Sequence, residues 1–305
     1  MTHVSARRGA VYVSVAATAW GTGGAAGQLL FETGGLGPVG VSLWRYLLGA
    51  AFLLALAPRP AGLDRLTWRV LPVGAGMAVY QAAYFAAIAH SGVAVATVVT
   101  MGATPVFTAL GSRFLLRERL GRVALASLVA ALAGLALLTA ESTADSTADS
   151  TAESMTEGGA GVRTASVAGA GFALLSAAGY AGVTLFSRRH RADPRGTAIG
   201  GFLVGAACLA PFALVEGVVP EFGGASVALL IFLGAVPTAL AYGLFFRALS
   251  ALRATTVSII SLGEAVGAAL LGVVLFGERL TPLGWCGCAL LLAAVAVLAA
   301  RAEAA

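Results

Sequence analysis

Residues Val123–Ala140 read VALASLVAALAGLALLTA, with no charged side chain and only Ser127 and Thr139 able to hydrogen-bond. As a helix these eighteen residues measure about 27 Å, close to the ~30 Å hydrocarbon core of a bilayer. Such a helix has no polar stripe to turn towards water, so it belongs in lipid or deep inside a large core. Arg122 bounds the stretch on one side and Glu141 on the other. The same texture continues in both directions. Of 305 residues, 59% are hydrophobic and 11% charged, and the mean hydropathy is +0.90. Soluble domains carry about 25% charged residues. An ordinary cytosolic enzyme, a disordered protein and a secreted disulfide scaffold are therefore excluded.

Nine further stretches match the first. Four precede it, near Ala10–Phe31, Pro38–Ala57, Val70–His90 and Val93–Leu115. Five follow, near Ser166–Ser187, Gly196–Val215, Ala225–Phe246, Ala254–Phe276 and Pro282–Ala300. The predicted fold is an all-α, multi-pass bundle of ten transmembrane helices. Arg7 and Arg8 ahead of the first run resemble the start of a signal peptide, but the run is too long and no cleavage site leads into a soluble domain, so a retained helix is expected.

All nineteen cations are arginines. With the N-terminus placed inside, sixteen fall on the cytoplasmic side; only Arg163 and Arg279 fall outside, and Arg45 lies within a span. That positive-inside bias predicts the cytoplasmic (inner) membrane with both termini cytoplasmic. It also accounts for the net charge of +5 as a topology signal, so no nucleic-acid partner is expected. Cys208, Cys286 and Cys288 sit in apolar runs without disulfide or zinc spacing, and read as buried small residues.

Ser142–Glu153 reads STAD-STAD-STAE, followed by a Gly/Thr-rich stretch to Arg163. Lacking an apolar face, it is expected to be disordered. The expected organisation is a first five-helix repeat over residues 1–140, a polar external linker over 141–165 and a second repeat over 166–305. A constant offset of 160 relates the halves: Glu118-Arg119-Leu120 falls on Glu278-Arg279-Leu280, Ala17 on Ala177, Trp20 on Tyr180 and Thr104 on Glu264. Five is odd, so the second copy is inverted. The flanks agree, with Arg113, Arg117 and Arg122 around the first motif and Val273, Gly277 and Pro282 at the matching places around the second. Inverted repeats are common in secondary transporters, whose sites lie near the midplane between halves.

The pattern resembles the drug/metabolite transporter superfamily, in particular the EamA-like metabolite exporters. The residues that carry the resemblance are Trp20-Gly21, Arg45 and Thr104-Pro105-Val106 in the first copy, and Glu264-Ala265-Val266 and Gly277-Glu278 in the second. The resemblance implies ten helices in two five-helix repeats and small organic solutes, such as amino acids, related metabolites or drugs, usually leaving the cell. Two departures stand out. Ala265 occupies a place where the family usually shows proline, and Arg117 one where glycine is frequent.

Polar residues within the spans are the candidate site. A charge near mid-span costs about 2.5–3.5 kcal/mol on insertion scales, so Glu264 needs a partner, a cavity or a proton. It either lines a central cavity, recognising a cation or carrying a coupling proton, or is a structural carboxyl bonded between helices. Arg45 pairs with Glu264, meets a substrate carboxylate or snorkels to the interface. Trp20 lies away from the interfacial belt, and Tyr80, Gln81 and Tyr84 share one helix face; they line a cavity or pack helices together. Thr100 and Thr104 lead into Pro105, which, like Pro211 and Pro237, removes a helix hydrogen bond and offers a hinge. Tyr180 and Tyr242, nearer the cytoplasmic ends, are either interfacial anchors or wall residues; His90 reads as a solvated loop residue and Thr281-Pro282 as a helix start. Gly23 with Gly27, and Gly201 with Gly205, form small-residue faces for close helix approach.

No nucleophile–base pair, metal cluster or Walker lysine is visible, so no catalytic residue, metal or cofactor is expected. The expectation is a non-enzymatic secondary transporter, with proton coupling as an option and lipid as its surroundings. A passive channel or facilitator and an intramembrane enzyme are the rival readings. The oligomeric state is not legible.

Overall fold

The computed structural model describes residues 4–56, 68–118, 120–154, 167–190, 193–220, 223–276 and 281–303. Arg119, the Glu278-Arg279-Leu280 motif and Met155–Arg163 lie outside them. Every regular element among the described residues is helical: α1 (Ala6–Thr33), α2 (Pro38–Ala55), α3 (Val70–Leu115), α4 (Arg122–Ser154), α5 (Val167–His190), α6 (Pro194–Glu216), α7 (Gly224–Gly234), a π-helical segment (Ala235–Leu240), α8 (Ala241–Ala251), α9 (Ala254–Ser261), α10 (Gly263–Phe276) and α11 (Pro282–Glu303). Seven described segments are long and apolar enough to cross a membrane by length and composition. The architecture is the all-helical ten-span bundle read from the sequence. Its starts follow local chemistry. Ser5 accepts from the Arg8 amide, Asp193 from Gly196 ahead of Pro194, and Thr281 from Gly284 beside Pro282.

The third and fourth predicted spans form one continuous helical element, α3, rather than two helices with a loop. A straight helix would hold Tyr84 and Thr97 about 20 Å apart; their hydroxyls are 2.6 Å apart, so the chain doubles back between them. Contacts with α5 give the direction of each limb. Val183 faces Gly76 and the Ser176 hydroxyl donates to the Tyr80 carbonyl, so the first limb runs antiparallel to α5. Thr100 donates to the Ala173 carbonyl and Gly111 faces Leu185, so the second limb runs parallel to it. Two oppositely directed spans are thus present, as the hydropathy required.

The STAD repeats differ from expectation. The backbone of α4 stays helical through Ser154 where composition pointed to disorder. Ala144, Ala148 and Ala152 recur every fourth residue, and alanine extends a helix already nucleated by an apolar span. Cysteine burial also differs: Cys288 is buried, whereas Cys208 and Cys286 are exposed on the outer surface. That surface is an apolar belt including Phe114, Leu214, Val215 and Val274, as lipid contact demands. Pro211 lies exposed within an uninterrupted α6, and exposed His90 stacks on Phe172 at 5.4 Å.

Alanine and glycine dominate the tightest crossings. A Cβ on Gly134 would stand 2.8 Å from the Gly287 carbonyl, and one on Gly287 2.7 Å from the Gly134 carbonyl, so α4 and α11 meet backbone to backbone. The larger core side chains, Tyr46, Phe202, Phe245 and Ile260 among them, gather where α2, α6, α8 and α9 surround α1 and α3.

Candidate functional site

The site starts at a broken helix. Span nine stops at Ser261 and restarts at Gly263. Its amides turn tightly there, Leu262 donating to Ile259 and Ala265 to Leu262. The Ser258 carbonyl instead accepts the Ser261 hydroxyl at 2.9 Å. Glu264 therefore sits in the first turn of α10, although the proline the family usually carries at the next position is Ala265 here. Gly263, a poor helix former, occupies the break. Gly21 pins α1 against the same place, since a Cβ there would lie 2.9 Å from the Glu264 carbonyl and 3.0 Å from the Ala268 amide. Trp20 is thereby held beside the restart of span nine.

A second break positions Arg45. Pro237 lacks an amide, which orphans the carbonyl of Leu233 four residues earlier. The chain widens there into the π-helical segment, and the Thr238 hydroxyl donates to that carbonyl at 2.7 Å. The same Thr238 oxygen accepts Arg45 Nε at 3.3 Å. Gly49, one turn beyond Arg45, makes room: a Cβ there would stand 2.6 Å from Thr238 Cγ2. Arg45 points into the bundle, away from the snorkelling position. Among the described residues, Arg188 and Glu118 form an ion pair at 3.6 Å and none joins Arg45 to Glu264.

Between these breaks lies a cavity of about 690 Å³. Its wall includes all eight residues singled out as substrate-binding or coupling candidates: Trp20, Arg45, Tyr80, Gln81, Tyr84, Thr100, Thr104 and Glu264. Gln81 is buried and donates to Ser42, which donates in turn to the Pro38 carbonyl. Both hinge candidates, Pro105 and Pro237, are buried beside the cavity-lining segments. Of the small-residue faces, Gly23 meets Pro237, Gly201 meets Val73 and Gly205 meets the Tyr46 ring, while Gly27 opens onto the cavity.

Of the two places open to Tyr180 and Tyr242, both take the cavity wall. With Trp20 they form its aromatic floor and Phe245 packs behind it, Trp20 lying 5.1 Å from Tyr242, 5.4 Å from Phe245 and 6.5 Å from Tyr180 between ring centroids. Tyr80 adjoins at 5.3 Å from Tyr180. The hydroxyls of Tyr80, Tyr84, Tyr180 and Tyr242, and the Arg45 guanidinium, all lie within electrostatic reach of Glu264. The repeat carried the missed signal for Tyr180, because the offset of 160 matches it to Trp20. Both halves thus supply wall residues at equivalent places, Thr104 with Glu264 and Met101 with Ser261 as well.

This arrangement, a cavity between duplicated halves, coincides with a match over both halves to the model of the EamA-like transporter family, at residues 7–140 and 167–300. The chain belongs to the EamA-like transporter family. It is a multi-pass membrane transporter, and membership implies a small-molecule substrate and non-enzymatic transport. It is similar to the uncharacterized transporter YwfM of Bacillus subtilis (strain 168), 30% identical over 295 residues, 95% of this chain and 93% of the relative. It is also similar to the uncharacterized protein PA1977 of Pseudomonas aeruginosa, 31% identical over 232 residues, 76% and 72% of the two chains. A protein of known crystal structure shares the fold, with a TM-score of 0.78 at 24% identity over 97% of this chain and 98% of the other.

Proposed function

We propose that this EamA-family transporter is a secondary active exporter of small organic metabolites or drugs across the cytoplasmic membrane. Residues 1–140 and 166–305 form halves that rock against one another around the cavity, with both termini cytoplasmic. Glu264 recognises a cationic group or carries the coupling ion, a proton among the options. Arg45 meets an anionic group, and Trp20, Tyr80, Gln81, Tyr84, Thr100 and Thr104 shape the wall. Pro105 and Pro237 absorb the bending. The observation that carries this reading is the convergence of Glu264 and Arg45, from different halves, on one cavity large enough for a metabolite.

Comparative metabolomics of spent medium, from cells expressing wild type or Glu264→Gln at matched membrane abundance, tests it. The expected result is a solute enriched outside only with the wild type. Equal enrichment by both would remove Glu264 from the mechanism. No enrichment relative to empty cells would overturn export.

A further inference from the structure

The oxygens around Glu264 share a property beyond their position. Thr100 spends its hydroxyl proton on the Ala173 carbonyl at 3.2 Å, and Thr104 spends its own on the Thr100 carbonyl at 2.7 Å. Ser261 donates to the Ser258 carbonyl. Each of these cavity-lining hydroxyls therefore keeps a lone pair to offer, although Ser261 also hydrogen-bonds the Tyr180 hydroxyl. Ser258 also lines it, is 1% exposed, and its hydroxyl has no partner. Glu264 adds a carboxylate.

The two halves bring these groups to one depth. Spans four and nine have opposite parity and so run antiparallel, and they are joined near one end by a hydrogen bond from Thr255 to Ser112 at 3.2 Å. Eight residues back from Ser112 stands Thr104, and eight on from Thr255 stands Gly263, the neighbour of Glu264. Thr104 and Glu264 are thus level, and they are also equivalent under the repeat. The competing cation, Arg45, is held on Thr238. Discontinuous helices in inverted-repeat transporters are suited to ion coordination, because a break turns oxygens towards the ion.

We propose that the break in span nine and the facing turn of span four form a site for a hard monovalent inorganic cation, Na⁺, held by Glu264, Ser258, Ser261 and Thr104. The inference rests on the cavity being the transport site, and it names the ion that Glu264 couples to. A carboxylate with neutral hydroxyl oxygens suits a singly charged ion, and oxygen is the ligand type hard cations take.

The test needs no knowledge of the transported solute. Purified full-length protein is melted at pH 8 and constant ionic strength while choline chloride is replaced by NaCl, KCl or methylammonium chloride. Ligands that bind only the folded state raise Tm with concentration. Wild type is expected to show a saturable rise of several degrees in NaCl and a smaller one in KCl. The rise should vanish in Glu264→Gln and weaken in Thr104→Val and Ser258→Ala, which keep the charge should the glutamate variant fail to fold. Equal Tm values in NaCl and choline would overturn the site. So would a response to methylammonium alone, which assigns the oxygens to an amine, or variants responding like wild type. Export that persists with sodium replaced by choline would overturn the coupling ion while leaving the exporter reading intact.

Discussion

Arg117 shows how much a single backbone angle carries. Its φ is +55°, in the left-handed region, which costs an L residue about 1–2 kcal/mol and glycine almost nothing. That angle ends α3 and lets the Glu118 amide reach back to the Ser112 carbonyl at 3.0 Å. The resemblance places a frequent glycine here, and the angle is the physical reason. Arg117→Gly should therefore raise stability by about 1 kcal/mol, read as a higher Tm of the purified protein; an unchanged or lower Tm would contradict it. Gly49 works in the opposite sense. Ala at 49 would push its Cβ against Thr238 and to 3.3 Å from the Phe202 ring. Overpacking of this kind costs about 1–3 kcal/mol and would dislodge the oxygen that holds Arg45. Gly27→Ala is the control, since nothing lies within 4 Å of its Cβ. Gly49→Ala should lower both Tm and export, and Gly27→Ala should leave Tm unchanged or higher.

Among the elements, the two broken spans organise the site and are unequally legible in the sequence. Pro237 announces its break in the sequence, because a missing amide orphans a carbonyl wherever it falls. The break before Glu264 has no proline; it depends on Gly263 and on the Ser261 hydroxyl satisfying a backbone carbonyl, which only coordinates reveal. Ala265 is the third residue of α10, where proline is tolerated, and its amide makes only a 3.1 Å turn bond. Ala265→Pro is expected to cost about 1 kcal/mol, against the ~3 kcal/mol of a mid-helix proline; loss of folded protein at matched expression would refute this. Hydropathy made the spans legible because desolvation of a whole helix is a large, additive term. Rotation of a helix about its axis is a smaller term shared among neighbours. Tyr180 and Tyr242 consequently carry no sequence mark that decides between interface and cavity, whereas Tyr80, Gln81 and Tyr84 have a spacing that fixes a common face, and that face lines the cavity. The STAD helix was missed for a different reason, since composition without an apolar face says nothing about extension from a preceding span.

At the scale of the whole molecule the cavity lies towards one end. Its wall uses Gly23 and Gly27 late in α1, Pro38 to Arg45 early in α2 and Thr100 to Thr104 early in the second limb of α3. All of these lie towards the end poor in arginine. The aromatic floor comes next, and beyond it Arg188 pairs with Glu118 and donates to the Leu249 carbonyl at 3.0 Å. One side chain thus ties the end of α3 in the first half to α5 and α8 in the second. The bond to Leu249 lies within the second half, so the Glu118 ion pair is the part of this tie that crosses between halves; such a partly exposed pair contributes about 0.2–1 kcal/mol, against the 1.4 kcal/mol of a tenfold change in a two-state population. Arg188→Gln should therefore shift the molecule by up to roughly fivefold towards opening at the arginine-rich end. Thr104→Cys, with Cys208, Cys286 and Cys288 replaced by alanine, gives the readout through a membrane-impermeant maleimide applied to oriented vesicles. With arginine-rich ends cytoplasmic, the parent should label from the extracytoplasmic side, and Arg188→Gln should add labelling from the cytoplasmic side. Parent labelling confined to the cytoplasmic side would reverse the orientation. Labelling unaffected by Arg188→Gln would mean that the seal lies in the aromatic floor formed by Trp20, Tyr180 and Tyr242.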